Sequence, residues 1–206
     1  AEAYMAMGAL ANAIESRFTE YFKVFYPVLC RGLAATTEHQ VCFVAVGVIG
    51  DVCRAMEAAI LPYTTPLVDG LVTNLRNKML ERTVKPAMLS AFGDLALAVG
   101  PSFPPDRIEP AMQMLIDASK TTVPNDGDED LLDFLVDLRT HVMEGLTAMI
   151  QGFNDDANRS LLQYVVKFVP EICAFLQLVA MDPNRDGKIC YNATALVGDL
   201  FQAMPQ

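Results

Sequence analysis

A glycine with an aspartate after it recurs inside predicted helices of this chain, at intervals too regular to be accidental. The pairs are Gly50-Asp51, Gly93-Asp94 and Gly198-Asp199, and Gly8 and Gly145 occupy the matching place in two further helices. Successive glycines are 42, 43, 52 and 53 residues apart. A glycine in mid-helix costs about 1 kcal/mol relative to alanine, so its recurrence in register indicates that neighbouring helices approach closely. A period of this length is typical of stacked helical units.

Apolar residues recur every three or four positions along nearly the whole sequence, and no segment alternates with the period of a strand. Breaks rich in Pro, Gly, Asn, Asp and Thr interrupt the pattern at regular intervals. Together they predict about nine helices, at approximately 1–15, 17–34, 38–58, 61–77, 82–99, 106–120, 128–153, 158–181 and 187–204. Because the links are short, we predict an all-α fold made of antiparallel helical hairpins.

The first helix of each predicted hairpin carries a proline inside it or near its start. These prolines are Pro27, Pro66, Pro110 and Pro170. Proline removes a helix hydrogen bond and bends the helix, and a bent first helix before a straighter second helix is the pattern of a HEAT repeat. The sequence therefore predicts one α-solenoid segment of four to five HEAT repeats. The approximate repeats are 1–15 (incomplete), 17–58, 61–99, 106–153 and 158–204. Such units bury their apolar faces only by stacking, so we expect a fragment of a longer chain.

Composition excludes several classes of protein. Hydrophobic residues make up 52% of the chain, enough for a large core, and the longest apolar runs, such as 41–49, are too short to span a bilayer. The formal net charge of −10 disfavours a nucleic-acid partner and favours basic peptides. Five cysteines without a CxxC pair indicate buried free thiols rather than a disulfide framework or a zinc site.

No group of residues in the sequence fits a catalytic or cofactor site. The two histidines, His39 and His141, lie on separate predicted helices, and neither is near a candidate nucleophile. The stretch from Gly47 to Gly50 lacks the Lys and the Ser or Thr that give a phosphate-binding loop its chemistry. We therefore expect a protein that is not an enzyme and needs no cofactor.

The stretch that begins at Asp182 resembles the sequence of a calcium-binding loop. Asp182, Asn184 and Asp186 fit the first positions of an EF-hand, but position 12, which requires a bidentate glutamate, is Ala193. We expect a polar turn between two helices at this place. The acidic stretch 125–130 is interpreted in the same way, as a solvated loop rather than a metal site.

Carboxylates on the second-type helices form the first candidate site. They are Asp51, Asp94, Asp137, Glu144 and Asp199. A ladder of carboxylates that faces a groove would attract a basic peptide and raise its association rate. The pattern allows structural roles as well. The aspartates that follow glycines could equally brace neighbouring repeats, Asp51 could pair with Arg54, and Asp137 and Glu144 could form a solvated face.

A pocket between two first-type helices is the second candidate site. Phe18, Phe22, Phe25 and Leu29 share one helix face, which the pattern predicts to be core. Tyr26 points elsewhere, and with Tyr63 and Leu67 of the next first-type helix it could border a shallow pocket for an aromatic side chain. Aromatic anchors in small apolar pockets contribute much of the affinity of such contacts.

Four stretches of the sequence are specific enough to indicate a family. They are QVCFVAVGVIGDVCRA at 40–55, VKPAMLSAFGDLALAVG at 84–100, DFLVDLR at 133–139 with its continuation to Gly152, and ALVGDL at 195–200. In order and approximate spacing they resemble the C-terminal repeats of the importin-β family of nuclear import receptors. The resemblance covers essentially the whole chain.

The resemblance implies a set of partners. Members of the family bind import cargo, often through the adaptor importin-α, whose basic segment lies against a concave face lined by second helices. Phe-Gly nucleoporin repeats bind between first helices on the convex face, and RanGTP, which releases the cargo, makes most of its contacts outside this region. The resemblance therefore implies a protein of the cytoplasm, the nucleus and the nuclear pore.

The chain departs from the family in one respect, since it contains no tryptophan. The adaptor site of the family uses tryptophans as platforms for basic side chains, so we expect this segment alone to bind an adaptor peptide poorly. We also expect a monomer, with no membrane or nucleic-acid partner. The alternative function is that of a structural HEAT scaffold, such as a phosphatase scaffold subunit.

Overall fold

The computed structural model describes residues 1–123, 128–154, 159–183, 185 and 187–204. These residues form ten α-helices and four single 3₁₀ turns, with no strand among them, which confirms the predicted all-α fold. The helices are α1 (Glu2–Ile14), α2 (Thr19–Ala34), α3 (His39–Met56), α4 (Leu61–Arg76), α5 (Lys85–Val99), α6 (Pro105–Ser119), α7 (Glu129–Phe153), α8 (Leu162–Val166), α9 (Val169–Met181) and α10 (Gly187–Ala203).

The helices pack in two layers. One, the second-helix layer, holds α1, α3, α5, α7 and α10, each in contact with the next. The other, the first-helix layer, holds α2, α4, α6 and the pair α8 and α9. Helices that follow one another in the chain, such as α2 and α3 or α4 and α5, contact each other across the two layers. This arrangement is the predicted α-solenoid of helical hairpins.

The prediction of a single helix at 158–181 was wrong, because the chain forms two helices there. α8 ends at Val166 and α9 begins at Val169, so the break falls at Lys167 and Phe168. Pro170 lies in the first turn of α9. A proline has no N–H to donate, and its ring collides with the carbonyl four residues earlier, which here is that of Val166. The other predicted prolines are accommodated inside α2, α4 and α6.

The core is one continuous apolar cluster that runs between the two layers along the chain. Phe18, Phe22 and Leu29 have no exposed surface, as predicted, while Phe25 is only partly buried. Full burial of a side chain of this size contributes about 1.5–3 kcal/mol. The stacking of repeats therefore depends on the same apolar residues that the helical period singled out.

Three helices of the second-helix layer end in the same backbone turn. Glu15, Glu57 and Gly100 have φ angles of 50°, 48° and 51°, and a 3₁₀ turn begins at each of them. Glycine adopts this region of φ without strain, whereas a glutamate there is strained by about 1–3 kcal/mol. The sequence did not predict this turn, since only one of the three positions is a glycine. The 3₁₀ turns that begin at the two glutamates pack against α3 and α5, and this packing fixes the strained backbone.

No helix in the described ranges is both long and apolar enough to cross a membrane. All five cysteines are free thiols. Cys42 and Cys53 are buried as predicted, but Cys173 and Cys190 are exposed. The prediction of buried thiols was wrong for these two, because they lie on faces of α9 and α10 that no described element covers.

Candidate functional site

The recurring glycines are places where neighbouring helices of the second-helix layer meet. The carboxylate of Asp51 on α3 lies over Gly8 of α1, where a β-carbon would stand. A β-carbon on Gly50 of α3 would lie 2.8 Å from Oδ2 of Asp94 on α5. Each of these aspartates therefore occupies the space that the glycine of the preceding second helix leaves free.

Close approach at a glycine continues between α5 and α7 but not at α10. A β-carbon on Gly93 would lie 2.6 Å from the β-carbon of Ala148, and one on Gly145 would lie 2.7 Å from the carbonyl oxygen of Leu89. Gly198 has no such neighbour within 4 Å. The predicted close approach is thus confirmed at four of the five glycines and wrong at Gly198, because no described side chain or helix packs over that position.

Two of the aspartates join helices within this layer. Asn12 Nδ2 of α1 donates to Asp51 Oδ1 at 2.9 Å, and Arg54 Nη2 donates to the same oxygen at 2.5 Å. Gln151 Nε2 of α7 donates to Asp199 Oδ2 of α10 at 3.1 Å. The bracing geometry and the pairing of Asp51 with Arg54, both left open by the sequence, are thus present together.

Asp94 lies at the centre of a charged network on this layer. Burial raises its pKa above the ordinary value, the positive charge of Arg54 partly offsets that effect, and the negative charges of Glu144 and Asp51 add to it. The structure therefore brings three of the predicted side chains, Asp51, Asp94 and Glu144, close enough to influence one another, whereas Asp199 of α10 is held by Gln151 of α7. Asp137 stands apart, exposed and 3.3 Å from Nδ1 of His141.

The predicted tyrosine pocket is a groove between α2 and α4 in the first-helix layer. The ring centroids of Tyr26 and Tyr63 are 4.7 Å apart, and Tyr63 also packs edge-on against Phe22 at 4.8 Å. The groove, here called the tyrosine groove, has a volume of about 390 Å³. Tyr26 and the buried Leu67 line it, while Tyr63 supports Tyr26 from behind.

Two further features keep the tyrosine groove in shape. Asn74 Nδ2 of α4 donates to the carbonyl of Leu33 on α2 at 2.7 Å, which ties the far ends of the two helices together. Burial and a hydrogen bond with Cys30 raise the pKa of Tyr26 well above its usual value, so the phenol stays neutral. Gly70 lines the groove and has open space beyond its Cα. The groove thus offers a largely apolar surface with an uncharged phenol, and Asp69, which pairs with Arg107, is the carboxylate in its lining.

The sequence missed a buried ion pair. Arg139 of α7 is 6% exposed and pairs with Asp182, which follows α9. The only sequence signal was the unexpected arginine in the apolar period of α7. Asp182, the first residue of the calcium-loop pattern, therefore serves packing, while Asn184 and Asp186 lie outside the described residues.

No group of three or more His, Cys, Asp or Glu side chains within the described ranges is placed to hold a metal ion. Much of the acidic stretch at 125–130 lies outside those ranges, since residues 124–127 are not described. Asp128 is described, and its side chain accepts a hydrogen bond from the backbone N–H of Leu131 at 3.1 Å. It therefore caps the start of α7, as aspartates do at helix N-termini.

Comparison with known proteins identifies the family. A family model described as "Importin subunit beta-1-like, TPR repeats" matches residues 1–206. Importin subunit beta-1 of Arabidopsis thaliana is 38% identical over 98% of this chain, and that of Schizosaccharomyces pombe is 34% identical over 98%. The chain spans about a quarter of these relatives, 23% of the length of each.

Solved structures give the same answer. Importin beta crystallised in an ammonium sulfate condition matches 98% of the chain with a TM-score of 0.90 and 31% identity, and the chain covers 23% of it. A Kap95:Nup1 complex matches 98% with a TM-score of 0.86 and 26% identity. A Kap95p structure, in which Kap95p binding induces the switch loops of RanGDP to adopt the GTP-bound conformation, matches 97% of the chain with a TM-score of 0.85 and 26% identity. The chain covers 23% of each of these two proteins. Sequence and structure agree over nearly the whole chain, which belongs to the importin-β family.

Proposed function

We propose that this chain is a segment of a nuclear import receptor that binds peptides on both of its layers. Phe-Gly segments of nucleoporins bind the first-helix layer, and basic segments of an importin-α-type adaptor or a cargo bind the second-helix layer. The family assignment supports this proposal, and so does the Nup1 complex of the similar Kap95 protein. The chain acts by binding and not by catalysis, and it works in the cytoplasm, the nucleus and the nuclear pore.

The tyrosine groove is the observation that carries the nucleoporin proposal. Its lining is largely apolar, with Leu67 and Pro66 on one wall and Tyr26 on the other. A phenylalanine ring that enters it would bury apolar surface worth about 25 cal/mol per Å². Contacts with the ring of Tyr26 would add edge-to-face or stacked aromatic pairing. The groove is open at the surface, which suits rapid and weak binding.

A filled-groove variant tests this proposal. Gly70→Leu places an isobutyl group in the tyrosine groove, because nothing lies within 4 Å of its β-carbon position. Gly47→Leu is the matched control, since Gly47 also lies inside a helix with open space beside it and is far from the groove. Both variants replace a helix glycine with leucine and should fold at least as well as the parent chain.

The readout is an NMR titration of the labelled chain with a short Phe-X-Phe-Gly peptide, beside a peptide with serine in place of each phenylalanine. We expect saturable shifts at the groove for the parent chain and for Gly47→Leu, and their loss in Gly70→Leu. Shifts that persist in Gly70→Leu would place the contact elsewhere. A chain without any phenylalanine-dependent shift would favour the structural scaffold function.

The network around Asp94 supports the proposal of a basic-peptide site on the second-helix layer. Asp51, Asp94, Glu144 and Asp199 lie on four successive helices of the second-helix layer, so a basic helix laid across this layer would meet a carboxylate on each of them. Their hydrogen bonds to Asn12, Arg54 and Gln151 leave this site only partly free for a peptide. The site therefore adds to the association rate more than to the affinity.

Replacement of the four acids by their amides tests this site, because an amide oxygen still accepts the bracing hydrogen bonds. The matched control changes four exposed acids elsewhere, Glu2, Glu20, Glu38 and Asp117, to their amides. We expect the association rate of a basic adaptor peptide, measured by stopped-flow fluorescence at low salt, to fall in the first variant alone. Equal falls in both variants would mean that only net charge matters.

Three further parts of the proposal concern partners and organisation. Ran contacts lie mostly outside this segment, the segment is a monomer, and its repeats divide at 1–15, 17–58, 61–99, 106–153 and 158–204. The contacts of α2 with α3, of α4 with α5 and of α6 with α7 support this division. Sedimentation equilibrium over a range of concentrations tests the monomer, and a mass that rises to that of a dimer would reject it.

A further inference from the structure

One arginine, Arg54 of α3, lies among the carboxylates around Asp94 of α5. Of the described side chains whose charges act on Asp94, Arg54 is the cation, whereas Glu144 and Asp51 are acids. Glu57, which follows α3, adds a further carboxylate beside Arg54. Among the described residues, four carboxylates therefore share one cation at this place, and the local charge has the same sign as the net charge of the chain, −10.

The guanidinium of Arg54 lies between two successive aspartates of the second-helix layer. Its Nη2 donates to Oδ1 of Asp51 at 2.5 Å. Its Nη1 lies 3.4 Å from the position that a β-carbon on Gly50 would take, and Oδ2 of Asp94 lies 2.8 Å from the same position. The guanidinium and the carboxylate of Asp94 thus converge over Gly50. Because a guanidinium is a planar fork with several donors, Arg54 can face both acids at once.

A cleft opens beside this guanidinium, between α3 and α5, and its volume is about 300 Å³. The described lining of this cleft, here called the α3–α5 cleft, consists of Cys53, Arg54, Glu57, Asp94, Leu97 and Ala98. Leu97 is 49% exposed and offers an apolar wall, while Asp94 and Glu57 offer carboxylates. A long basic side chain combines an apolar stem with a charged head. The α3–α5 cleft therefore has the room and the chemistry for one arginine or lysine side chain.

Asp94 is the carboxylate of the cleft that stands without a close partner. Among the described residues, it accepts no hydrogen bond and forms no salt bridge. Burial raises the pKa of Asp94, and the positive charge of Arg54 offsets this effect only in part. A cation that comes closer than Arg54 would therefore stabilise the charged form of Asp94 further.

Arg54 can leave its place without disturbing the fold. Its side chain is 63% exposed and that of Asp51 is 24% exposed. An ion pair with this much exposed surface contributes little to stability, because water and salt screen it. Asn12 Nδ2 of α1 also donates to Oδ1 of Asp51, at 2.9 Å, so the carboxylate keeps one partner when Arg54 turns into water.

We propose that Arg54 occupies the α3–α5 cleft in place of a ligand, and that one arginine or lysine side chain of a basic peptide binds there by displacing it. Since this rests on the basic-peptide function proposed for the second-helix layer, it identifies the residue that weakens that function. A site filled by its own chain binds only while it is open, and its apparent affinity falls by that fraction. A cleft occupied for about 90% of the time would bind about tenfold more weakly than a vacant one.

The geometry also favours one of the two basic residues. The place that the guanidinium occupies faces Asp51 and Asp94 together. A peptide arginine reproduces the planar fork of Arg54, whereas the ammonium of lysine is a compact point charge. We therefore expect a peptide arginine to displace Arg54 more effectively than a lysine at the same position of the peptide.

The binding test uses the full 206-residue chain and the fluorescein-labelled peptide Ala-Lys-Ala-Ala-Arg-Ala-Ala-Lys-Ala, with fluorescence anisotropy at low salt as the readout. Arg54→Ala removes the competing side chain. Arg31→Ala is the matched control, because it removes one cation from an exposed helix position on the first-helix layer. Alanine favours the helix at both positions, and far-ultraviolet circular dichroism checks the fold of both variants.

We expect Arg54→Ala to bind the peptide about five- to tenfold more tightly than the parent chain, and Arg31→Ala to stay within roughly twofold of the parent. A peptide with lysine in place of its arginine should bind the parent chain more weakly. Equal affinities of the two variants would overturn the proposal, since the gain would then come from net charge alone. Weaker binding by Arg54→Ala would also overturn it, because Arg54 would then support the ligand.

Methylguanidinium provides a test that does not depend on the peptide. In Arg54→Ala it should bind saturably and shift the backbone amide NMR signals of Gly50, Asp51 and Asp94, whereas the parent chain, whose cleft is occupied, should show much smaller shifts. Such shifts beside a peptide that binds neither chain would reject the proposed basic-peptide function and support the cleft as a guanidinium site. The absence of methylguanidinium shifts in Arg54→Ala would overturn the inference even if the peptide binds.

Discussion

The carboxylate of Asp51 lies over Gly8, in the place that a β-carbon on residue 8 would occupy. The glycine on α1 and the aspartate on α3 therefore belong to one contact, although 42 positions separate Gly8 from the next glycine of the series. Asp94 and Gly50 repeat the relationship one step along the solenoid. The residue pair that recurs in the sequence is thus split between two contacts, since each helix offers its glycine to one neighbour and its aspartate to the other.

A double-mutant cycle tests this relationship. Gly8→Ala alone should destabilise the chain by about 1 kcal/mol, because the new methyl group displaces Asp51 from its hydrogen bond with Asn12. In a chain that already carries Asp51→Ala, the same change should stabilise by about 0.5–1 kcal/mol through helix propensity. Urea unfolding of the four chains measures the coupling. Additive effects of the two substitutions would show that the contact between residues 8 and 51 does not contribute to stability.

A second pair of glycines predicts opposite signs for the same substitution. A β-carbon on Gly152 would lie 2.5 Å from the backbone oxygen of Ala96, and backbone cannot move aside as a side chain can. Gly152→Ala should therefore cost about 1–3 kcal/mol through overpacking of α5 against α7. Gly47→Ala, which meets nothing within 4 Å, should instead stabilise by about 0.5–1 kcal/mol. Thermal unfolding measures the change in stability of both variants. Changes of the same sign would contradict the close packing of α5 on α7.

The pKa of Asp94 predicts a stability difference that depends on pH. Burial raises this pKa above its ordinary value of 3.8, so between the two values the folded chain holds more protons than the unfolded chain. Stability from this group is therefore lost as pH rises through that window, and the cost persists above it. Asp94→Asn should raise the Tm at pH 7 by roughly 2–4 °C, which about 1 kcal/mol produces in a chain of this size.

The gain from Asp94→Asn should shrink as the pH falls towards 3.8, where the parent carboxyl takes up its proton. Calorimetric scans from about pH 7 to about pH 4 follow this difference. Asp133→Asn removes an exposed carboxylate from α7 and serves as the control, with an expected change of no more than about 0.5 kcal/mol. A gain for Asp94→Asn that stays constant across this range would show that burial of the charge is not its cause.

The buried pair of Arg139 and Asp182 predicts a large loss of stability when one partner is removed. Arg139→Met keeps much of the side-chain volume but leaves the mostly buried carboxylate of Asp182 without its cation. The expected cost is about 3–5 kcal/mol. Arg31→Met, at an exposed position of α2, should change stability by no more than about 0.5 kcal/mol. Chemical unfolding measures both, and similar small effects would mean that the pair contributes nothing to the contact of α7 with the end of α9.

The sequence predicted the class of the fold and most of its helices, because helical period and breakers are local properties. It also predicted that Tyr26, Tyr63 and Leu67 would meet, since residues at equivalent places of adjacent repeats become neighbours when the repeats stack. The break between α8 and α9 could also have been predicted from the sequence, because Pro170 cannot continue the hydrogen bonding of a preceding helix. The comparison with known structures then confirmed the solenoid that the period suggested.

Only the tertiary structure decided what the charged residues do. Asp51, Asp94 and Asp199 are alike in the sequence, yet one is held by Asn12 and Arg54, one is half-buried with a raised pKa, and one is held by Gln151. The partner of Arg139 was also not predicted, since Asp182 is 43 positions away in the chain. Helix formation depends on near neighbours in sequence, whereas burial, ionisation and pocket shape depend on which surfaces meet when the repeats stack.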